Sequence, residues 1–198
     1  TIFGTRFAAP GTNAQAGRDN FIDGKVPTNL GGTCIVVDGV AARVLAVVKA
    51  DAYGHGLMRA AGALEDLADG FALLDLADAI ALREAGFRQP ILLLEGFFEA
   101  DEIPLLAEHG LTPVVHTLEQ VEMLTTAALP ARLPVYLKIN TGMNRLGLSL
   151  ESFHAALTAL ETLPSVASVT LMTHFADADL ERGIGWQIAP PVTPTDGP

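Results

Sequence analysis

The sequence predicts an α/β protein: an incomplete TIM-type (β/α)8 barrel made of consecutive parallel strands. Three observations carry this expectation. From about residue 43 onward, short β-branched or Leu-rich runs alternate with longer stretches of helical spacing, the pattern of successive βα units. No change of composition interrupts that rhythm to mark a second domain. A complete barrel takes about 250 residues, whereas six units here already fill the chain to residue 174. A doubly wound open sheet is the alternative arrangement of the same units.

The strand candidates, in order, are Val44–Ala50, Phe71–Leu76, Ile91–Glu95, Thr112–His116, Val135–Asn140 and Val169–His174. Between them the spacing predicts helices over Leu57–Ala68, Ala77–Ala85, Asp101–His109, Leu118–Ala127 and Leu150–Leu163, with Leu118, Val121 and Leu124 forming an apolar stripe. Ser149 stands where an N-cap belongs, and Gly86 and Gly110 where a left-handed C-cap belongs. The ends read differently. Residues 1–38 are rich in Gly, Asn, Thr and Asp without clear periodicity, and residues 189–198 form a Pro-rich tail that can continue neither a helix nor a central strand.

Composition excludes several classes. The 198 residues hold 12 basic and 23 acidic side chains, a net charge of −11, with 49% apolar and 18% charged residues. That is ample material for a core. An acidic surface with no Lys/Arg cluster interleaved with aromatics argues against nucleic acid as a partner. Cys34 is the single cysteine, so a disulfide-bridged secreted scaffold is not expected and a reducing cytoplasm fits. The segment TIFGTRFAAPG lacks a signal-peptide core, and the greasiest runs, Val44–Val48 and Ile91–Leu94, fall far short of the ~20 residues a membrane span needs. No membrane association is expected.

In a parallel α/β array, chemistry gathers in the loops after the strands. The first strand delivers Lys49 and then Ala50-Asp51-Ala52-Tyr53-Gly54-His55-Gly56. A lone lysine at a strand end commonly snorkels to solvent. One followed by a loop with two glycines, a tyrosine and a histidine is also placed to form an imine with a carbonyl compound. The fifth strand alternates, so Tyr136, Lys138 and Asn140 share a face, and it runs into Thr141-Gly142-Met143-Asn144-Arg145-Leu146-Gly147. Taken alone, Lys138 and Arg145 could be ordinary surface charges. The last strand ends in Met172-Thr173-His174-Phe175-Ala176-Asp177-Ala178-Asp179. His116 also ends a strand, with no specific role apparent from the sequence, while His109 and His154 lie on helix patterns. No H-E-x-x-H or Cys/His spacing appears, so no metal site is expected.

These segments resemble those of a known family. AVVKADAYGHG is similar to the cofactor-lysine motif of the alanine racemases, enzymes that use pyridoxal 5'-phosphate (PLP) to interconvert L- and D-alanine and supply D-alanine for peptidoglycan. LKINTGMNRLG resembles the family's LK-x-x-TGM-x-RLG signature, and THFADAD its SHFA-x-AD segment. GFALLDLADAIALREAGFRQPILLLEGFF also follows the family pattern, so the resemblance covers about residues 41–188.

The resemblance implies a PLP-binding barrel of the alanine racemase N-terminal type over residues 39–188, in a cytoplasmic isomerase whose intact members are homodimers acting on alanine. It makes Lys49 the catalytic imine lysine, which serves as base on one substrate face. Tyr53 becomes a ligand of the cofactor phosphate. Arg145 contacts the cofactor ring oxygen, His174 packs against the ring, and Lys138 is carbamylated by carbon dioxide and paired with Arg145. Such a carbamate would turn a repelling pair of cations into a bidentate ion pair.

The family's first strand and helix have no recognisable version in residues 1–38. The family's later barrel strands, with their phosphate-binding serine and pyridine-nitrogen arginine, have no counterpart after His174. The same holds for its C-terminal β domain with the second-face tyrosine. The sequence is therefore expected to encode a fragment, one in which Lys49 exchanges a proton on one face and racemisation is slower by the about 10²–10⁴-fold that a positioned acid or base contributes. The alternatives are a noncatalytic barrel remnant that binds PLP weakly or not at all, and another PLP barrel enzyme such as a decarboxylase, which AYGHG and TGMNRLG disfavour.

Overall fold

A computed structural model describes residues 43–177, 183 and 185–188; the N-terminal segment 1–38 and the tail 189–198 lie outside the described residues. Six strands, β1 (Leu45–Val47), β2 (Gly70–Leu73), β3 (Ile91–Leu93), β4 (Thr112–Val115), β5 (Leu133–Lys138) and β6 (Val166–Met172), form one sheet in the spatial order β1-β2-β3-β4-β5-β6. Every neighbouring pair is parallel. A doubly wound sheet reverses its strand order at a switch point. No reversal occurs here, so the winding is that of a barrel wall.

The two faces of that wall build separate cores. Leu45, Ala72, Leu92, Val114 and Met172 are buried on the concave face, with Val47, Leu94 and Tyr136 packed against them. On the convex face Phe71, Leu73, Ile91, Leu93, Val115, Val135 and Leu137 meet the helices. Burial on both faces is why these strands read as unbroken apolar runs rather than alternating ones. The β5/β6 register shifts between Leu133 and Pro134, where proline has no N–H to give to the ladder.

The helices are α1 (Leu57–Leu64), α2 (Leu76–Glu84), α3 (Ile103–Glu108), α4 (Leu118–Thr126), α5 (Leu150–Thr162) and α6 (Gly185–Ile188). Three start on side-chain caps: Asp75 accepts from Ala77 N, Thr117 from Gln120 N, and Ser149 from Ser152 N. Gly86 and Gly110 close α2 and α3 with positive φ, as the sequence predicts. The stripe expected on α4 is only partly inward. Val121 and Leu124 are buried, but Leu118 is 48% exposed and Gln120, at 4%, takes the inner position. The helix expected over Leu57–Ala68 stops at Leu64, and its last turn is closed by Leu67 N and Ala68 N, which both donate to Leu64 O.

At the end of the wall where strands begin, Arg83 of α2 ties the layers together. Its Nε donates to His109 O at 2.9 Å, Nη1 to Phe87 O at 3.0 Å and Gln89 O at 2.7 Å, and Nη2 to Gly110 O at 3.0 Å. Among the described residues no helix is long and apolar enough to cross a membrane.

Candidate active site at the strand ends

Lys49 lies two residues beyond β1, half-buried, and opens a helical turn of the wrong hand. Ala50, Asp51, Ala52 and Tyr53 have φ of 53, 51, 53 and 56°. Each L-residue in a left-handed helix costs about 1–2 kcal/mol. The turn persists because its surroundings fix it. Ala52 N donates to Val48 O, Gly56 N to Asp51 O at 2.9 Å, and Leu57 N to Asp51 Oδ1 at 2.7 Å, so the strained segment also caps α1. Ala52 is buried, and Tyr53 is carried outward, 45% exposed.

On β5, Tyr136 packs with the concave core and Lys138 is 6% exposed, in register with Met172 of β6. The expected shared face of Tyr136 and Lys138 is therefore the inner one. The TGMNRLG loop folds straight back onto the strand: Leu148 N donates to Lys138 O and Asn140 N to Leu148 O, both at 2.9 Å. Asn140 organises the interior of the loop, its Oδ1 accepting from Gly142 N at 3.0 Å and Asn144 N at 3.1 Å. Gly147 sits where φ is +126° and a Cβ would stand 2.7 Å from Asn140 N, so no other residue fits this return. Arg145 lies at the exposed outer part of the loop.

His174 follows β6, and a latch from α6 spans the two loops. Gln187 Nε2 donates to Thr141 Oγ1 at 3.1 Å and His174 O at 3.2 Å, while its Oε1 accepts from Ala176 N at 2.7 Å. Trp186 Nε1 donates to the buried Asp177 at 2.8 Å. Thr173 Oγ1 gives its hydrogen to Ile139 O, so Thr141 is the donor in the 2.7 Å contact between the two hydroxyls.

Electrostatic coupling links these groups. Burial, and then the charges of Arg145 and Lys49, push Lys138 below the ordinary lysine value, with Glu95 pulling the other way. Burial and the charges of Lys138, Arg145 and Lys49 likewise hold His174 below the ordinary imidazole value. Lys138 and His174 therefore each feel the charges of Lys49 and Arg145, which links four of the five residues singled out in the sequence. Tyr53 extends from the adjoining turn. No group of three or more metal-binding side chains occurs among the described residues.

Sequence reading missed the bracket at these strand ends. Gln120 of α4 reaches across to β3, donating to Glu95 O at 3.0 Å and Phe97 O at 2.9 Å, and its Oε1 accepts from His116 N at 2.7 Å. Gly96, with φ of +76°, is required there, since a Cβ would lie 2.2 Å from Val114 O. The available signal was a polar residue four positions after a strand-end histidine, facing inward on a helix. The latch residues Trp186 and Gln187 were missed as well.

A parallel wall whose strand order never reverses, with Lys49, Lys138, Arg145 and His174 at or just after its strand ends, defines an α/β-barrel protein. Residues 35–189 match the family described as "Alanine racemase, N-terminal domain", and the chain belongs to that family. It is 57% identical over 137 residues to the alanine racemase of Nitrosospira multiformis, covering 69% of this chain and 38% of that protein. It is 49% identical over 148 residues to that of Cupriavidus metallidurans, covering 75% and 40%. The crystal structure of the biosynthetic alanine racemase from Pseudomonas aeruginosa superposes with a TM-score of 0.69 at 41% identity, covering 72% of this chain and 40% of that one. The chain thus spans about two fifths of the length of these relatives.

Proposed function

We propose that this chain forms the PLP-binding barrel portion of an alanine racemase, acting on L- and D-alanine, with Lys49, Tyr53, Arg145 and His174 toward the cofactor and Lys138 as a carbamylated lysine. One observation supports the reading above others: Lys138 is buried on the concave face at the end of β5, in register with Met172, and both it and His174 feel the charges of Lys49 and Arg145.

The residues present fit the group. An amine suits the aldehyde, a cationic mouth suits the phosphate dianion, and an imidazole held neutral can lie against a ring without adding charge. When bound, PLP supplies an electron sink that acidifies the substrate α-hydrogen. The chain's residues do the rest. Lys49 Nζ moves a proton at the α-carbon on one face. The left-handed turn fixes where that nitrogen emerges, and Tyr53 on the same turn would hold the phosphate. Carbamylation of Lys138 converts the Lys138–Arg145 repulsion into an ion pair, which holds Arg145 toward the ring. The cytoplasm as location, and pairing of the intact protein as a homodimer, belong to the same reading.

Borohydride reduction with PLP in excess, followed by peptide mapping, tests it. The cofactor mass is expected on the peptide carrying Lys49, and Lys49→Ala abolishes it. Label on Lys25 or Lys138 with none on Lys49 would sink the assignment.

A further inference from the structure

His116 is the one strand-end histidine that the proposed chemistry does not use, and its placement is specific. Val114 pairs with Tyr136 and Val115 with Leu137; carrying that register one residue on sets His116 beside Lys138. Both share the concave face with Val114 and Tyr136, and directly paired residues of adjacent strands lie about 5 Å apart. The ring is fixed from behind. His116 Nε2 lies 3.1 Å from Glu95 O, which also accepts from Gln120 Nε2, and Gln120 Oε1 holds the His116 backbone N–H.

This geometry decides the tautomer. A carbonyl oxygen only accepts, so Nε2 carries the hydrogen and Nδ1 of the neutral ring carries the lone pair. No described residue hydrogen-bonds to Nδ1. Burial first, and then the Lys138 charge, hold His116 below the ordinary imidazole value against the pull of Glu95. The charges of Lys138 from β5 and Glu95 from the end of β3 act on the ring, and Lys138 in turn feels Arg145 and Lys49.

We propose that His116 is the proton acceptor for carbamylation of Lys138. The step balances without any redox change. The Lys138 ammonium first releases one proton to solvent; the freed nitrogen lone pair then forms an N–C bond to carbon dioxide, one C=O electron pair moves onto oxygen, and the remaining N–H proton lost in the step passes to Nδ1. The neighbours end as an imidazolium beside a carbamate, which favours the product electrostatically. This inference rests on the carbamate reading of Lys138.

The test uses the full chain equilibrated with ¹³C-bicarbonate, following the carbamate carbon by ¹³C NMR from the time of mixing, with no need for cofactor or activity. Lys138→Ala removes the signal. His116→Gln keeps an amide N–H for Glu95 O but has no basic nitrogen; its carbamate is expected to form about tenfold more slowly or worse, and added imidazole is expected to restore part of the rate. Formation in His116→Gln as fast as in the native chain overturns the proposal and leaves the Lys138 reading standing. A slow rate that imidazole does not restore also overturns it, since it marks altered packing. No Lys138-dependent carbamate in the native chain overturns the carbamate reading itself.

Discussion

Two cations withdrawn from solvent to different degrees sit at opposite ends of the barrel wall and are treated in opposite ways. Arg83, where the strands begin, spends its donors on four backbone carbonyls from the turns that follow α2 and α3. Lys138, where the strands end, has only 6% of its surface exposed, and the described residues give it no hydrogen bond or ion pair; its nearest electrostatic neighbours include two further cations and one carboxylate. A charge with four of its five donors matched to carbonyls is a tie in the framework. A charge withdrawn from water without a partner is a cost that a framework has no reason to bear. The contrast separates scaffold from site without reference to any relative.

The comparison breaks most visibly at Arg83. Replacing it by Met leaves four carbonyls at two helix ends without their donor and is expected to cost about 2 kcal/mol, read as a lower urea midpoint, while capture of PLP by Lys49 in the native-state window is unchanged. An unaltered midpoint would mean the carbonyls find water instead.

In buffer freed of carbon dioxide, where Lys138 is unmodified, Lys138→Met should move stability the other way, by about 1 kcal/mol of gain at neutral pH, because an apolar chain of similar volume replaces an unpaired charge. The sign with pH follows from the lowered value of the folded state. Between that value and the ordinary 10.5 the unfolded chain binds the extra proton, so native stability rises with pH across this window. The advantage of Lys138→Met should therefore shrink as pH climbs toward 10.5. An advantage independent of pH would show that Lys138 holds its proton equally well in the folded and unfolded chain.

The smallest effect belongs to His174. Its folded value also lies below the ordinary 6.5, so the unfolded chain takes the proton first on acidification and stability falls as pH drops below about 6.5. His174→Asn should flatten that acid limb, measurable as Tm against pH.

Much of this was legible in the sequence because it depends on local spacing. All six strands overlap their expected ranges, the caps at Ser149, Gly86 and Gly110 hold, and alternation in β5 correctly set Tyr136 and Lys138 on one face. What escaped depends on which strands become neighbours. Gln120 is buried only because β3 ends next to β4, and Arg83 is matched only because two helices end side by side. The strand expected over Val44–Ala50 was too long because an apolar run followed by Lys-Ala-Asp-Ala gives no warning of a reversal in hand.

That reversal has a stereochemical consequence. At positions 50–53 the backbone adopts the conformation that suits the mirror-image amino acid, so the usual ranking of residues is inverted there. Glycine, ordinarily a loss inside a helix, becomes a gain at Ala50, whose side chain is exposed, whereas valine or isoleucine there is worse than in any right-handed turn. In a chain assembled by chemical ligation, a single D-residue at position 50 would relax the segment that presents Lys49. This short stretch of an L-protein is, by shape, already a fragment of the opposite enantiomer.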